Sequence, residues 1–158
     1  MKLSFSPLDK EDASEIIGWR YDPPYDVYDL VNTDTIQYLI NPENQFYAFM
    51  DEHGNLHGYC SFGNDGQVPG GDYDADALDI GMGIHPDCVG KGLGDEYVSA
   101  VLKFAEVKFS PPQFRVTIAK FNKRAQKVWE KVGFHPVQHF TFTASGKEFL
   151  VNISQNKE

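Results

Sequence analysis

The sequence predicts an α/β fold, with a central sheet of mixed, mostly antiparallel direction flanked by helices. Three observations predict it. Residues 77–84 form an apolar strand-like run stopped by His85 and Pro86. That run leads through Gly90, Gly92 and Gly94 into a stretch where Leu93, Tyr97, Val98, Val101, Leu102 and Ala105 line one helical face. A further strand-like segment, 113–119, then sits between two helical patterns, the alternation expected of an α/β chain.

The remaining elements follow in order. Residues 2–6 alternate as a first strand, and Asp9 is placed to cap a helix reaching about Trp19. The Tyr-Asp-Pro-Pro-Tyr stretch at 21–25 breaks that helix, and Thr33 is positioned to cap a second over 34–40, ended before Pro42. Strands at 45–50 and 56–62 flank Asp51-Glu52-His53-Gly54-Asn55, a hairpin turn signal. A Gly- and Asp-rich loop over 63–74 precedes the apolar strand. Asn122 is a good helix N-cap, Ala125, Val128, Trp129 and Val132 form an apolar stripe, and Gly133 supplies a stop. Strands near 137–143 and 148–153 close the chain.

Composition excludes several functions. A net charge of −9 argues against nucleic acid or an anionic membrane as the main partner. No run of eighteen apolar residues suggests a membrane span, and residues 1–7 do not read as a signal peptide. A single cytoplasmic domain over 1–158 is therefore expected. Cys60 and Cys88 make no disulfide framework, and no His/Cys spacing suggests a metal. Charge is nonetheless uneven. Arg115, Lys120, Lys123, Arg124, Lys127 and Lys131 crowd one segment with Glu130 as its only acid, a local positive zone. Acids gather instead at Asp22, Asp26 and Asp29 and at Asp72, Asp74, Asp76 and Asp79, where they would attract a cation or serve solubility.

A glycine-rich turn feeding a helix exposes unpaired N–H groups at the positive end of the helix dipole, which suits phosphate. Two nucleotide loops fail here: Lys91 is followed by Gly92 rather than Ser or Thr, and a dinucleotide fingerprint counted from Gly90 ends on Asp95. The spacing Val89-x-x-Gly92-x-Gly94 instead resembles the pyrophosphate loop of the GNAT N-acetyltransferase superfamily, Gln/Arg-x-x-Gly-x-Gly/Ala. Residues 122–134 resemble its second signature, Asn-x-x-Ala-x-x-Leu-Tyr-x-x-x-Gly-Phe. The resemblance covers about residues 75–135, with the motifs in the family's order. It implies the GNAT acyl-CoA N-acyltransferase fold, acetyl-CoA as co-substrate, and transfer to an amine by direct attack in a ternary complex.

The resemblance also implies roles residue by residue. Val89, Gly90, Lys91, Gly92, Leu93 and Gly94 would hold the pyrophosphate, Asn122 the pantetheine arm, and Met82, Gly83 and Ile84 the acetyl carbonyl. Val89 stands where Gln or Arg is usual, so weakened rather than lost binding is expected, because backbone N–H groups hold most of the phosphate. Trp129 occupies the position of a tyrosine that lies near the departing thiolate. An indole N–H is not a useful acid. Water, or Tyr97, Tyr47, Tyr25 or Tyr21, would serve the sulfur, or the thiolate leaves unassisted. Two-fold association is common in the family, so a homodimer is among the expected assemblies.

An amine must lose a proton to attack a thioester, and the oxyanion needs donors. Asp79 is the first candidate base. Period-two alternation puts it with Gly81 and Gly83 on one face, and an acid on a central strand is expected to meet a cleft rather than apolar core. His85 is second, since an imidazole titrates near neutral pH, although its place before Pro86 favours a structural role in the turn. Gly81 and Gly83 either open the ladder so that N–H groups reach the carbonyl, or fit a crowded sheet. Cys88, just ahead of the glycine loop, is a candidate acyl-accepting nucleophile, but the sequence pairs it with no His and carboxylate. Tyr21, Tyr25 and Asp26, with Asp22 and Tyr28, either bind the acceptor by cation–π and charge contacts or pack as a tyrosine-rich loop. The acceptor is expected to be a small-molecule amine or a peptide or protein amine. The rival readings are a catalytically idle acyl-CoA sensor or interaction domain, and an acyltransferase for another acyl group or a hydroxyl acceptor.

Overall fold

The computed structural model describes residues 1–155. Its elements appear in the expected order: β1 (Ser4–Pro7), α1 (Lys10–Ile16), α2 (Thr35–Ile40), β2 (Phe46–Met50), β3 (Leu56–Phe62), β4 (Leu78–Ile84), α3 (Gly94–Phe109), β5 (Phe114–Ala119), α4 (Lys123–Lys131), β6 (His135–Phe142) and β7 (Lys147–Ile153). The strands form a mixed seven-stranded sheet ordered β1-β2-β3-β4-β5-β7-β6. β4 and β5 run parallel, whereas β1-β2, β2-β3, β5-β7 and β6-β7 pair antiparallel. Two compact units make up the chain. One is Met1–Ser61 with Met82–Leu93, the other Phe62–Gly81 with the chain from Gly94 onward. Among the described residues, no helix is long and apolar enough to cross a membrane.

In the first unit, Asp9 caps α1 as expected: its carboxylate accepts from the Asp12 amide at 2.8 Å, and Asp12 answers from the N3 position. The helix stops at Ile16, short of the expected Trp19. The amides of Gly18 and Trp19 bond to the carbonyls of Glu15 and Ile16, a tighter three-residue turn that a poor helix former such as Gly18 favours. Buried Ala13 and Ile16 then join Leu8, Trp19, Leu39 and Phe46 in one apolar cluster. α2 begins at Thr35 with Asp34, not the expected Thr33, as its N-cap and no side-chain capping bond, while Asn32 Oδ1 accepts from the Asp34 amide at 3.0 Å in the turn before it. The β2–β3 hairpin closes on Asp51, whose carbonyl accepts from Gly54 and whose Oδ1 accepts from His53 and Asn55.

The glycines of β3 and β4 answer a packing constraint. A Cβ on Gly83 would fall 2.3 Å from the Tyr59 ring, and one on Gly58 would fall 2.5 Å from the Gly83 carbonyl oxygen. At Gly83, therefore, the crowded-sheet explanation holds.

In the second unit, α3 buries Tyr97, Val98, Val101 and Ala105, all from the expected stripe. α4 starts at the Asn122 cap, whose side chain accepts from the Ala125 amide, and closes at Gly133, which takes a φ of +101°. β6 starts at His135, ahead of the expected 137, and its register against β7 slips between Pro136 and Gln138. A proline has no amide hydrogen for the ladder, so a slip there is its ordinary consequence. Gly83→Ala is expected to destabilise the protein by about 1–3 kcal/mol through overpacking. Chemical denaturation should show a smaller loss in a Tyr59→Leu background, where the opposing ring is gone.

Candidate active site

The glycine turn is built from main-chain geometry. Val89 is extended, and Gly90 and Gly92 take φ of +76° and +74°, the left-handed region that glycine enters at no steric cost. A Cβ on either would meet nothing within 4 Å. Gly54, Gly63, Gly133 and Gly146 share this open left-handed geometry, but here it stands just ahead of a long helix, where backbone N–H groups have room to meet an anion. Gly94 serves a different end. A Cβ there would meet Val128 at 2.9 Å, so this glycine lets the first turn of α3 close against α4. The same turn carries Asp95, ion-paired with Lys131 of α4, which offsets a negative charge at the helix N-terminus.

The end of β4 gathers a second group of side chains. The Tyr21 hydroxyl donates to the Ile84 carbonyl at 2.7 Å. Burial first, and the Asp29 carboxylate second, push that hydroxyl from 10.0 up to about 12. Asp29 is held in place because its Oδ1 accepts from the Tyr21 amide at 2.9 Å. His85 caps the 3-10 turn Pro86–Cys88, its Nδ1 accepting from the Asp87 amide at 3.0 Å. That bond leaves the neutral ring's proton on Nε2, which lies 3.8 Å from Glu15 Oε2. Neutral His85 therefore has no spare lone pair, which removes the physical basis for a proton acceptor. Trp19 completes the group, its ring 4.9 Å from His85 and its Nε1 donating to Glu15 at 3.3 Å. Glu15, with a side chain 52% exposed, is the acid that sequence reasoning missed. Nothing in its local helix pattern distinguishes it from the neighbouring surface acids. Tyr25 and Asp26 open the 3-10 turn Tyr25–Tyr28, where Asp26 is exposed.

Asp79 overturns the expectation of a cleft-facing acid. The parallel register sets it opposite Arg115, and both side chains are 3% exposed. Arg115 Nε and Nη2 donate to the two carboxylate oxygens at 2.7 and 2.8 Å, and Gln67 Nε2 adds a third bond at 2.9 Å. Arg115 is raised above its ordinary value, first by the bond to Asp79. The guanidinium also lies over the Tyr73 ring and donates to the Ala75 carbonyl. With both oxygens bound, the Asp79 carboxylate has little left to offer a substrate proton. The expected positive zone shrinks for related reasons, since Arg115 is buried, Lys120 pairs with Glu148, and Lys131 pairs with Asp95. Trp129 is buried against Phe134, ring centroids 4.9 Å apart.

Asp79→Asn would leave a buried guanidinium uncompensated, and a loss of about 3–5 kcal/mol in denaturant unfolding is expected. Tyr21 sets a pH dependence. The unfolded phenol sheds its proton near 10.0 and the folded one near 12, so its stabilisation is complete below the first value and lost between the two. The stability difference between wild type and Tyr21→Phe is expected to be flat below pH 10 and to fall from there to about 12.

Comparison with known proteins supplies the family. A family model described as an acetyltransferase (GNAT) domain matches residues 2–135. No curated protein matches the chain in sequence. Among solved structures, a GNAT-family acetyltransferase from Bacillus anthracis superposes with a TM-score of 0.77 at 15% identity, covering 100% of this chain and 97% of that one. A spermidine N-acetyltransferase SpeG chimera from Vibrio cholerae and hSSAT gives 0.76 at 16% identity, covering 98% and 95%. Mutant forms of the spermidine/spermine N-acetyltransferase SpeG from Vibrio cholerae give 0.69 at 17%, covering 96% and 93%. At these identities the likeness is one of fold. The family model, matching most of the sequence, carries the conclusion: the chain belongs to the GNAT acetyltransferase family.

Proposed function

We propose that this protein is a cytoplasmic N-acetyltransferase that moves an acetyl group from acetyl-CoA to an amine by direct attack in a ternary complex. The observation that carries the proposal is the turn Gly90–Gly92, two left-handed glycines with open space beside them at the entrance to α3. Acetyl-CoA supplies a thioester carbonyl activated toward a nitrogen nucleophile. Gly90, Lys91, Gly92 and Leu93 hold its pyrophosphate, mainly through main-chain N–H groups, with Val89 and Gly94 setting the two ends of the turn. Asn122, the cap of α4, is the residue assigned to the pantetheine arm. Backbone groups of Met82, Gly83 and Ile84 border the acetyl carbonyl, and Trp129, buried against Phe134, serves as no proton donor.

The acceptor is an amine, received by the Glu15–Trp19–Tyr21–His85 group, with Tyr25 and Asp26 beyond it. An exposed carboxylate beside aromatic rings suits an ammonium ion, and a chain of net charge −9 suits a cationic substrate. The spermidine acetyltransferases among the structural neighbours make a polyamine the first compound to try. Water carries the proton away toward Glu15, while His85 acts as a positioning residue fixed by its bond to Asp87. Both cysteines are free thiols, in keeping with a reducing compartment.

Thermal unfolding with acetyl-CoA, CoA and ATP tests the first half of this reading. At 100 times its dissociation constant a ligand stabilises by about 2.7 kcal/mol. Both coenzyme A species are expected to raise Tm by several degrees and ATP to leave it unchanged. No response to either coenzyme A species would end the proposal. Binding without amine-dependent thiol release would make the protein an acyl-CoA sensor. Glu15→Gln is expected to raise KM for the amine about tenfold, a loss of one charged hydrogen bond, while leaving acetyl-CoA affinity unchanged.

A further inference from the structure

The structure assigns a second reactive centre to this chain: we propose that Cys88 is a nucleophile that accepts an acyl group from a thioester, with His57 as its base and Asp51 holding His57. Cys88 Sγ lies 3.8 Å from His57 Nδ1, within the reach of a sulfur hydrogen bond. His57 Nε2 lies 2.9 Å from Asp51 Oδ2. The carboxylate accepts the Nε2 proton, so the neutral ring turns its lone pair on Nδ1 toward the thiol. Nucleophile, base and orienting carboxylate therefore stand in sequence, the arrangement that activates a thiol.

The backbone holds the three in place. Asp51 opens the β2–β3 hairpin, and its Oδ2 accepts a further bond from Asn55 at 3.1 Å, which fixes the carboxylate. His57 follows on β3, where its carbonyl accepts the His85 amide at 2.8 Å. The His85 carbonyl in turn accepts the Cys88 amide at 2.8 Å, so the 3-10 turn carrying Cys88 is tied directly to the strand carrying its base. All three residues belong to the unit formed by Met1–Ser61 and Met82–Leu93. The pairing is hidden in sequence because 31 residues separate the thiol from its base.

The electrostatics agree with this geometry. The bond to His57 is the first cause holding Asp51 well below the usual carboxylate range. His57 and Asp51 side chains are 14% and 18% exposed, shielded yet open to a proton relay. Among the described residues, no cluster of three His, Cys, Asp or Glu side chains is arranged to hold a metal ion. The second thiol, Cys60, is fully buried and burial pushes it up, so it serves as an inert internal control.

The step balances without an outside oxidant or reductant. The Cys88 proton passes to His57 as the sulfur attacks the acyl carbon, a new thioester forms on Cys88, and the donor's carbon–sulfur bond breaks. The leaving thiolate takes the proton back from His57. The choice of acyl-CoA as the natural donor rests on the proposed function; the activation of the thiol does not.

The test uses the full chain with two donors, acetyl-CoA and the small thioester S-acetyl-N-acetylcysteamine, and locates label by mass spectrometry of the peptides. One acetyl group on Cys88 is expected from both donors, absent in Cys88→Ser and at least about tenfold slower in His57→Gln, the low end for general-base assistance. Alkylation of Cys88 by iodoacetamide at neutral pH is expected to slow about tenfold in His57→Gln, with Cys60 left unalkylated in both proteins. Label from the small thioester alone keeps the Cys88 assignment and removes acyl-CoA as donor. No label from either donor, with acetyl-CoA binding seen by calorimetry, overturns the Cys88 assignment and leaves the coenzyme A reading standing. Equal labelling rates in wild type and His57→Gln overturn it too, because the thiol would then act without its base.

Discussion

A carboxylate and a guanidinium face each other in the protein interior, Asp79 on β4 and Arg115 on β5, and much of the second unit is arranged around them. Each alone would be costly to bury, and together they are tolerated because the remaining hydrogen-bonding positions are filled. Gln67 completes the Asp79 shell, and the Ala75 carbonyl and Tyr73 ring complete that of Arg115. These partners all come from the long segment between β3 and β4, which is rich in glycine and aspartate and has little apolar surface of its own. The pair thus fixes the parallel register of the two strands and anchors a loop that hydrophobic burial would leave unheld. Tyr73 extends the network by meeting both the Val68 amide and Thr117 of β5.

Local structure is largely legible in the sequence. The order of elements, the Asp9 cap, the Asp51 hairpin and the Gly133 stop all follow from periodicity, side-chain oxygens close to free amides, and residues that tolerate a left-handed backbone. Errors arise where two neighbouring residues could do one job, as when Asp34 rather than Thr33 stands at the start of α2. They also arise where a short tight turn replaces the last turn of a helix, as at Gly18. The glycine turn is legible because its requirement is a backbone angle, and only glycine meets that angle cheaply.

Side-chain partnerships are not legible. Asp79 finds Arg115 36 residues away and Tyr21 finds Ile84 63 residues away, through strand order that periodicity does not encode. An acid on a central strand reads as cleft-facing for as long as its partner is unknown. The same blindness hides the link between Cys88 and His57. In each case the residue type stands out in the sequence and its occupation does not. His85 shows the point most clearly, since its position suggests a base while one bond to the Asp87 amide occupies the lone pair a base needs.

The two outer strands of the sheet have a bearing on how any peptide could approach. β1 is four residues long and ends at Pro7, and β6 carries Pro136 where its register slips. Outer strands otherwise offer a row of free amides and carbonyls on which another extended chain can assemble. Here β1 is only four residues long and β6 is distorted by the slip at Pro136, so lengthening the sheet with a foreign strand is disfavoured on both sides. Uncontrolled stacking of copies border to border, a common route to precipitation, is discouraged by the same two features.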